Sequence, residues 1–309
     1  MSIFFQLIKY TFTIFSMSKK FIDWLIFIIL SLIWGSSFIL MKIGLQQLTA
    51  YQVAALRILS AGLVLLPITI KHIKHIPKSK LLLVFIAGIM GNLLPAFLFC
   101  IAEEKIDSGL AGTLNSLTPI FVIITGYVFF KINTSANKII GILIAFIGSF
   151  LLLLSTKNIQ GNRHFELILL IIIATLLYGF NVNMVAKKLS SIASLHIAAV
   201  ALSLNAIPAL LILIYTGYFN LLLNNTQLLI STGAAVLLGV LGTAIATIIF
   251  YMLVKRAGGV FATTVTYGIP FIAIGWGILY GESFNWQQAI CLLIILLGVY
   301  YGNKKIKTL

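Results

Sequence analysis

Residues 139–154 read IIGILIAFIGSFLLLL, sixteen consecutive positions without a charged residue. A strand of an outer-membrane barrel would alternate apolar and polar residues over segments of about ten, so this run excludes the barrel. Working outward, only 9% of the 309 residues are charged and 61% are apolar, with a mean hydropathy of +1.13. Soluble domains are roughly 45–50% apolar. So few ionisable groups could not cover a globule in water, and the soluble and disordered classes fall away. The chain reads as an all-α polytopic membrane protein.

Ten candidate spans follow, at about 22–42, 51–70, 80–102, 108–130, 137–156, 165–186, 194–216, 228–254, 260–281 and 286–302. Each is long enough to cross a hydrocarbon core of about 30 Å at about 1.5 Å per residue. The eighth is long enough to tilt or to carry an interfacial turn. Residues 1–21 form a separate N-terminal extension. Its first part, MSIFFQLIKYTFTIFS, is apolar but too short to cross and lacks a cleavage site. Met17 with Ser18-Lys19-Lys20 resembles a second start, so the extension is read as cytoplasmic, interfacial or misannotated. Residues 303–309 form a basic tail.

The net charge is +15, from 21 Lys and Arg against 6 Asp and Glu. No basic stripe is interleaved with aromatics on a polar segment, so nucleic acid is not an expected partner. The excess belongs in loops, where the membrane orients it. With the N-terminus inside, sixteen basic residues fall on the cytoplasmic side, four on the other, and Arg57 lies within span 2. That asymmetry agrees with ten spans and both termini in the cytoplasm. Cys100 and Cys291 both sit in apolar runs and read as small core residues. His72 and His75 sit among loop lysines and read as solvated near headgroups, and His196 as a helix-end residue.

The chain also repeats itself. A shift of 151 brings Ala87-Gly88-Ile89-Met90-Gly91 onto Leu238-Gly239-Val240-Leu241-Gly242, Pro119 onto Pro270 and Lys105 onto Arg256. A shift of 144 brings Trp34-Gly35 onto Tyr178-Gly179 and Ala54-Ala55 onto Ala198-Ala199. Two halves of five spans each follow, at 22–156 and 165–302. Because five is odd, the second half enters the bilayer from the opposite side. The fold is therefore expected to be ten transmembrane helices in two inverted five-helix repeats, a symmetry that secondary transporters use to alternate around a central site.

Six stretches carry a resemblance: LIWGSSFILMKIGL from position 32, LRILSAGLVLLP from 56, SGLAGTLNSLTPIFVIITGYVFFK from 108, the run at 139–154, YGIPFIAIGWGILYGES from 267 and AICLLIILLGVYY from 289. Together they resemble EamA-type proteins of the drug/metabolite transporter superfamily, over about residues 22–302. One departure stands out. The Gly-Glu pair that follows the fourth span in the family is here Phe130-Lys131, whereas the second copy keeps Gly281-Glu282. The resemblance implies a central cavity lined by spans 1, 3, 4, 6, 8 and 9, with spans 5 and 10 together at the side.

Polar residues at mid-membrane depth are costly and tend to face a bundle interior or a cavity. Trp34, Ser37, Asn92, Asn115, Tyr178, Asn181, Thr264 and Tyr267 are the candidate substrate-binding residues, on spans that the family uses for its cavity. Aromatic walls with a few amides and hydroxyls suit an organic solute with apolar and polar parts. Ser, Thr and Asn also glue helices together, and that alternative stays open for each. Pro119 and Pro270 are candidate hinges, or ordinary kinks fixed by packing. Arg57 is paired with Glu103 or Glu104 as a candidate outer gate, or it snorkels to headgroups.

No Asp or Glu falls at a midplane position, so the chamber is expected to be uncharged and no carboxylate proton relay is visible. No phosphate-binding loop is present for an ATPase. No metal, cofactor or catalytic residue is expected. The reading is an inner-membrane carrier of a small organic metabolite, an amino acid or related amphipathic compound, working by alternating access with export preferred. The alternatives are uptake or exchange, and a lipid flippase or accessory membrane subunit. The expected partners are the solute and the bilayer, with a homodimer left open.

Overall fold

The computed structural model describes residues 19–106, 108–155, 165–221, 225–279 and 285–303, so residues 1–18 of the N-terminal extension, most of the basic tail, and Gly281-Glu282 lie outside the described residues. Ten helical crossings run through the described chain, and it is a multi-pass membrane protein. They are α1 (Lys19–Leu45), α2 (Ala50–His72), α3 (Lys78–Gly88 continuing through Leu94–Glu103) and α4 (Ser108–Asn115, then Thr118–Phe130). The first repeat ends with α5 (Ala136–Ser155). The second comprises α6 (Phe165–Lys187), α7 (Ser194–Tyr215), α8 (Thr226–Leu237 continuing through Ala246–Ala257), α9 (Gly259–Thr263, then Ile269–Leu279) and α10 (Trp286–Asn303). Nine of these are long and apolar enough to cross a bilayer, and α5 contributes a further apolar stretch over Ala136–Leu152.

Helix starts are written locally where the chain turns at the membrane surface. Thr49 caps α2: its hydroxyl accepts from the Gln52 amide, while the Gln52 side chain accepts from the Thr49 amide. This reciprocal box satisfies two donors that the helix itself cannot. Asn225 accepts from Gln227 N–H at the start of α8. At the other end of a helix, Lys131 closes α4 in a left-handed conformation, φ 52°, with its N–H bonded to Gly126 O. Lysine stands there where glycine would be unstrained.

The helices pack in pairs that follow the duplication. α2 lies along α7, its counterpart in the other repeat, and α5 lies along α10. α6 contacts α3 and α4, while α1 contacts α8 and α9. The α5–α10 pair is close: a Cβ on Gly141 would sit 2.5 Å from Gly302 Cα, and one on Gly298 would sit 2.4 Å from Ala145 N. Small residues permit such approach where lipid offers no hydrophobic drive between helices.

Two crossings carry a π-helical segment, Ile89–Leu93 in α3 and Leu238–Ile245 in α8. The shift of 151 superimposes these segments, so the irregularity is duplicated with the sequence. A π turn widens the helix and leaves carbonyls free of their usual partners, and such segments are frequent at functional sites. Here other helices donate to carbonyls in or beside these segments. Asn181 Nδ2 donates to Ala87 O at 2.7 Å, and Trp34 Nε1 donates to Gly242 O at 3.1 Å. The expected tilt or turn in span 8 is thus an eight-residue π segment inside a 32-residue crossing.

Candidate functional site

A cavity of about 90 Å³ lies between the repeats. One water needs about 10–15 Å³ on this scale, so there is room for several waters or a small solute. Its walls come from α1, α3, α4, α6, α8 and α9, with one side chain from α2. Six of the eight residues singled out from sequence meet there: Trp34, Ser37, Asn92, Asn115, Tyr178 and Asn181. Thr118, Thr247 and Thr266, polar positions on the same spans, line it too, as does Thr263.

Thr264 and Tyr267 do not reach it. The Thr264 hydroxyl donates to Phe261 O at 2.7 Å, and the Tyr267 hydroxyl donates to Ile142 O of α5 at 3.0 Å. The cause is a change of winding. Residues Thr264–Tyr267 form a 3₁₀ turn, which takes three residues per turn instead of 3.6. The phase of α9 therefore slips, and Thr263 and Thr266, three apart, face the cavity.

Aromatic rings form its apolar walls. Trp34 packs on Phe250 with ring centroids 5.1 Å apart, and Phe99 on Tyr178 at 6.3 Å. Phe38, Met41, Phe99 and Phe250 were not picked out from sequence, since one more apolar residue in a membrane helix carries no signal. The polar wall is a chain of amides and hydroxyls. Asn181 bridges Ala87 O and the Tyr251 hydroxyl, the latter at 3.0 Å. Thr247 donates to Asn92 Oδ1 at 2.9 Å, and Asn92 Nδ2 is buried without a hydrogen bond.

The cavity is not uncharged, which corrects the expectation from sequence. Arg57 lines it, and its Nε donates to Thr243 Oγ1 of α8 at 2.7 Å. The outer-gate pairing is replaced as well. Among the described residues Arg57 makes no ion pair with Glu103 or Glu104. Glu104 Oε1 instead accepts from the Ala50 N–H at 3.1 Å, placing a carboxylate at the N-terminus of α2 where the helix dipole favours it. Glu103 is buried, accepts from Ser108 at 3.5 Å through Oε2, and leaves Oε1 without a donor.

Pro119 and Pro270 are both buried and stand at the start of the second segments of α4 and α9. Each follows an interruption of its helix, where a missing N–H is tolerated. Thr118 Oγ1 donates across the first interruption to Asn115 O at 2.8 Å.

At the basic end of the bundle, Arg256 of α8 and Asp23 of α1 form an ion pair at 2.8 Å. Lys255 donates to Ile192 O, Lys187 to Phe130 O and Lys80 to Lys188 O. His72 stacks on His196 with centroids 4.4 Å apart, and His75 lies 5.9 Å from the same ring. The three histidines are thus one cluster, which their separate sequence positions did not suggest. Among the described residues, no group of three or more His, Cys, Asp or Glu could hold a metal. Cys100 and Cys291 are free and buried.

Comparison with known proteins places this architecture. An "Uncharacterized transporter" of Archaeoglobus fulgidus is 26% identical over 289 residues, spanning 91% of this chain and 99% of that one. Protein PagO of Salmonella typhimurium is 23% identical, covering 89% and 91%. The "Uncharacterized inner membrane transporter YedA" of Escherichia coli K12 is 26% identical, covering 87% of each. A crystal structure superposes with a TM-score of 0.67 at 16% identity, over 90% of this chain and 95% of that one, a likeness of fold alone. The EamA-like transporter family matches twice, at residues 22–154 and 166–302. With both halves matched in turn, the chain belongs to the EamA-like transporter family.

Proposed function

We propose that this protein is a secondary carrier of the bacterial inner membrane. It moves a small organic metabolite, an amino acid or related amphipathic compound, by alternating access, with both termini in the cytoplasm and export as the direction. The observation that carries this reading is the central cavity: its walls are drawn from corresponding helices of both repeats, and aromatic rings face amides and hydroxyls across it. Inverted repeats give two states of similar energy, each opening the same site to one compartment. The π segments and the interrupted α4 and α9 supply places where a helix can bend without breaking a regular ladder. The names of the relatives speak for transport, and that of YedA for the inner membrane.

The test is uptake and counterflow in proteoliposomes holding the purified full chain, against a broad metabolite panel, with and without a pH gradient. Saturable counterflow of one chemical class supports the proposal. No solute movement across the panel, or proton flux without solute, overturns it. Labelling of single cysteines placed at each terminus tests the topology, and termini in different compartments would contradict it.

A further inference from the structure

Arg57 is the cation of the cavity wall, and no Asp or Glu lines the same space. Its Nε is taken by Thr243. Among the described residues its two terminal nitrogens make no hydrogen bond, so the fork of the guanidinium is left for something else. Asn92 is in the same condition: its carbonyl is taken by Thr247 and its buried Nδ2 has no acceptor, although the Tyr251 hydroxyl lies near it. Thr243 and Thr247 are four apart on α8. Thr243 lies near the end of the π segment and Thr247 in the first turn of the α-helix after it, so one short stretch of α8 positions both Arg57 and Asn92.

The fold does not require a cation here. The shift of 144 places Ala201 at the position of Arg57. At that equivalent crossing Gly88 packs on Ala201 O, as Gly239 packs on Arg57 O. The backbone makes the crossing in both halves, so the guanidinium is additional to it. A half-buried guanidinium whose terminal nitrogens have no acceptor carries a desolvation cost, and the unpaired buried amide N–H of Asn92 adds to it. A neutral solute would leave both in place, while an anionic one relieves both.

We infer that Arg57 and Asn92 form an anion-binding subsite, and that the solute carries a carboxylate seated on the Arg57 fork with its apolar part against Trp34 and Phe250. A carboxylate matches the planar, two-donor fork. With one cation lining the cavity, a singly charged group is neutralised and a doubly charged phosphate is not. The inference rests on the carrier reading for the word solute, but binding is measured without transport, so the two fail separately.

The experiment follows thermal unfolding of the purified full chain in detergent, titrated with phenylalanine, phenylpyruvate, phenylalaninamide and inorganic phosphate. The carboxylates are expected to raise the melting temperature, and the amide and phosphate are not. Arg57→Gln should weaken carboxylate binding about ten-fold or more, as loss of a charge-assisted bidentate pair does, and Arg57→Lys should recover part of it. If Arg57→Gln does not fold, Asn92→Asp serves instead: its added negative charge should weaken carboxylate binding, and an unchanged carboxylate response in that folded variant would equally overturn the inference. Equal protection by amide and carboxylate, protection by phosphate alone, no carboxylate response in the wild-type chain, or an unchanged response in a folded Arg57→Gln protein would overturn the inference.

Discussion

The crossing of α3 on α7 and the crossing of α8 on α2 are the same piece of structure made twice. In the first, Gly88 lies against Ala201 and Asn205 of α7, and one turn on Gly91 lies against Asn181 of α6. In the second, Gly239 lies against Arg57 and Ser60 of α2, and Gly242 lies against Ser37 of α1. Both carry a π segment at the same place in the repeat. What differs is the chemistry presented to the cavity. One crossing brings an asparagine that ties two helices together, the other a cation whose fork is free. The duplicated backbone supplies the scaffold and its alternation, while the side chains that have diverged supply the recognition.

The largest effects should come from filling the crossings. A Cβ on Gly239 would lie 2.4 Å from Arg57 O and 1.9 Å from Ser60 Oγ, whereas one on Gly88 would meet the side-chain end of Asn205 at 2.2 Å and backbone no closer than 3.0 Å. Backbone cannot swing aside as a side-chain end can. Gly239→Ala is expected to cost about 3 kcal/mol and Gly88→Ala about 1 kcal/mol, within the usual range for overpacking. Thermal melting in detergent reads the difference, and equal costs would show that the two crossings are equally tight.

Next come the polar ties. Asn181 bonds to α3 and α8, while Ser37, its counterpart, bonds only back to Ile33 O of its own helix. Asn181→Leu should therefore destabilise by about 1–2 kcal/mol and Ser37→Ala by a few tenths, since hydrogen bonds between membrane helices are worth roughly 0.6 kcal/mol and up to about 1.7. Denaturant or thermal titration of both variants checks the ratio. If Ser37→Ala costs as much, the asymmetry of the two ties is misread.

Lys131 sharpens the comparison at the end of α4. Its positive φ strains a residue with a Cβ, so Lys131→Gly should raise stability by about 1 kcal/mol. A lower melting temperature would mean that the lysine side chain outweighs the backbone strain. The smallest effect belongs to the Arg256–Asp23 pair, whose side chains are 30% and 14% exposed. Asp23→Asn should cost about 0.2–1 kcal/mol at low salt and close to nothing at 1 M salt, where the Debye length is about 3 Å. A loss that persists in high salt would mark a contact other than charge.

Much of the fold was legible because the membrane imposes it. A crossing must be a long apolar helix, so composition and run length located the helices, and the chain is already helical at Lys19, ahead of the expected 22. The site was partly legible. Trp34, Asn92, Asn115, Tyr178 and Asn181 are conspicuous because a polar or amphipathic group at mid-membrane depth needs a reason. Thr264 and Tyr267 were misplaced because a 3₁₀ turn shifts the face of α9 without changing its hydrophobic pattern. Phe99 and Phe250 were invisible among 22 phenylalanines.

The amino-acid order alone established the solvent, the count of crossings, the duplication and, through an odd number of spans per half, the opposed threading of the two halves. Those properties depend on local composition and parity, which no packing detail can alter. The three-dimensional arrangement decided which polar groups converge and which are spent on neighbours. Arg57 finds Thr243 across 186 positions rather than the nearby glutamates. The helix pairings and π turns that bring them together arise only when the repeats close on each other.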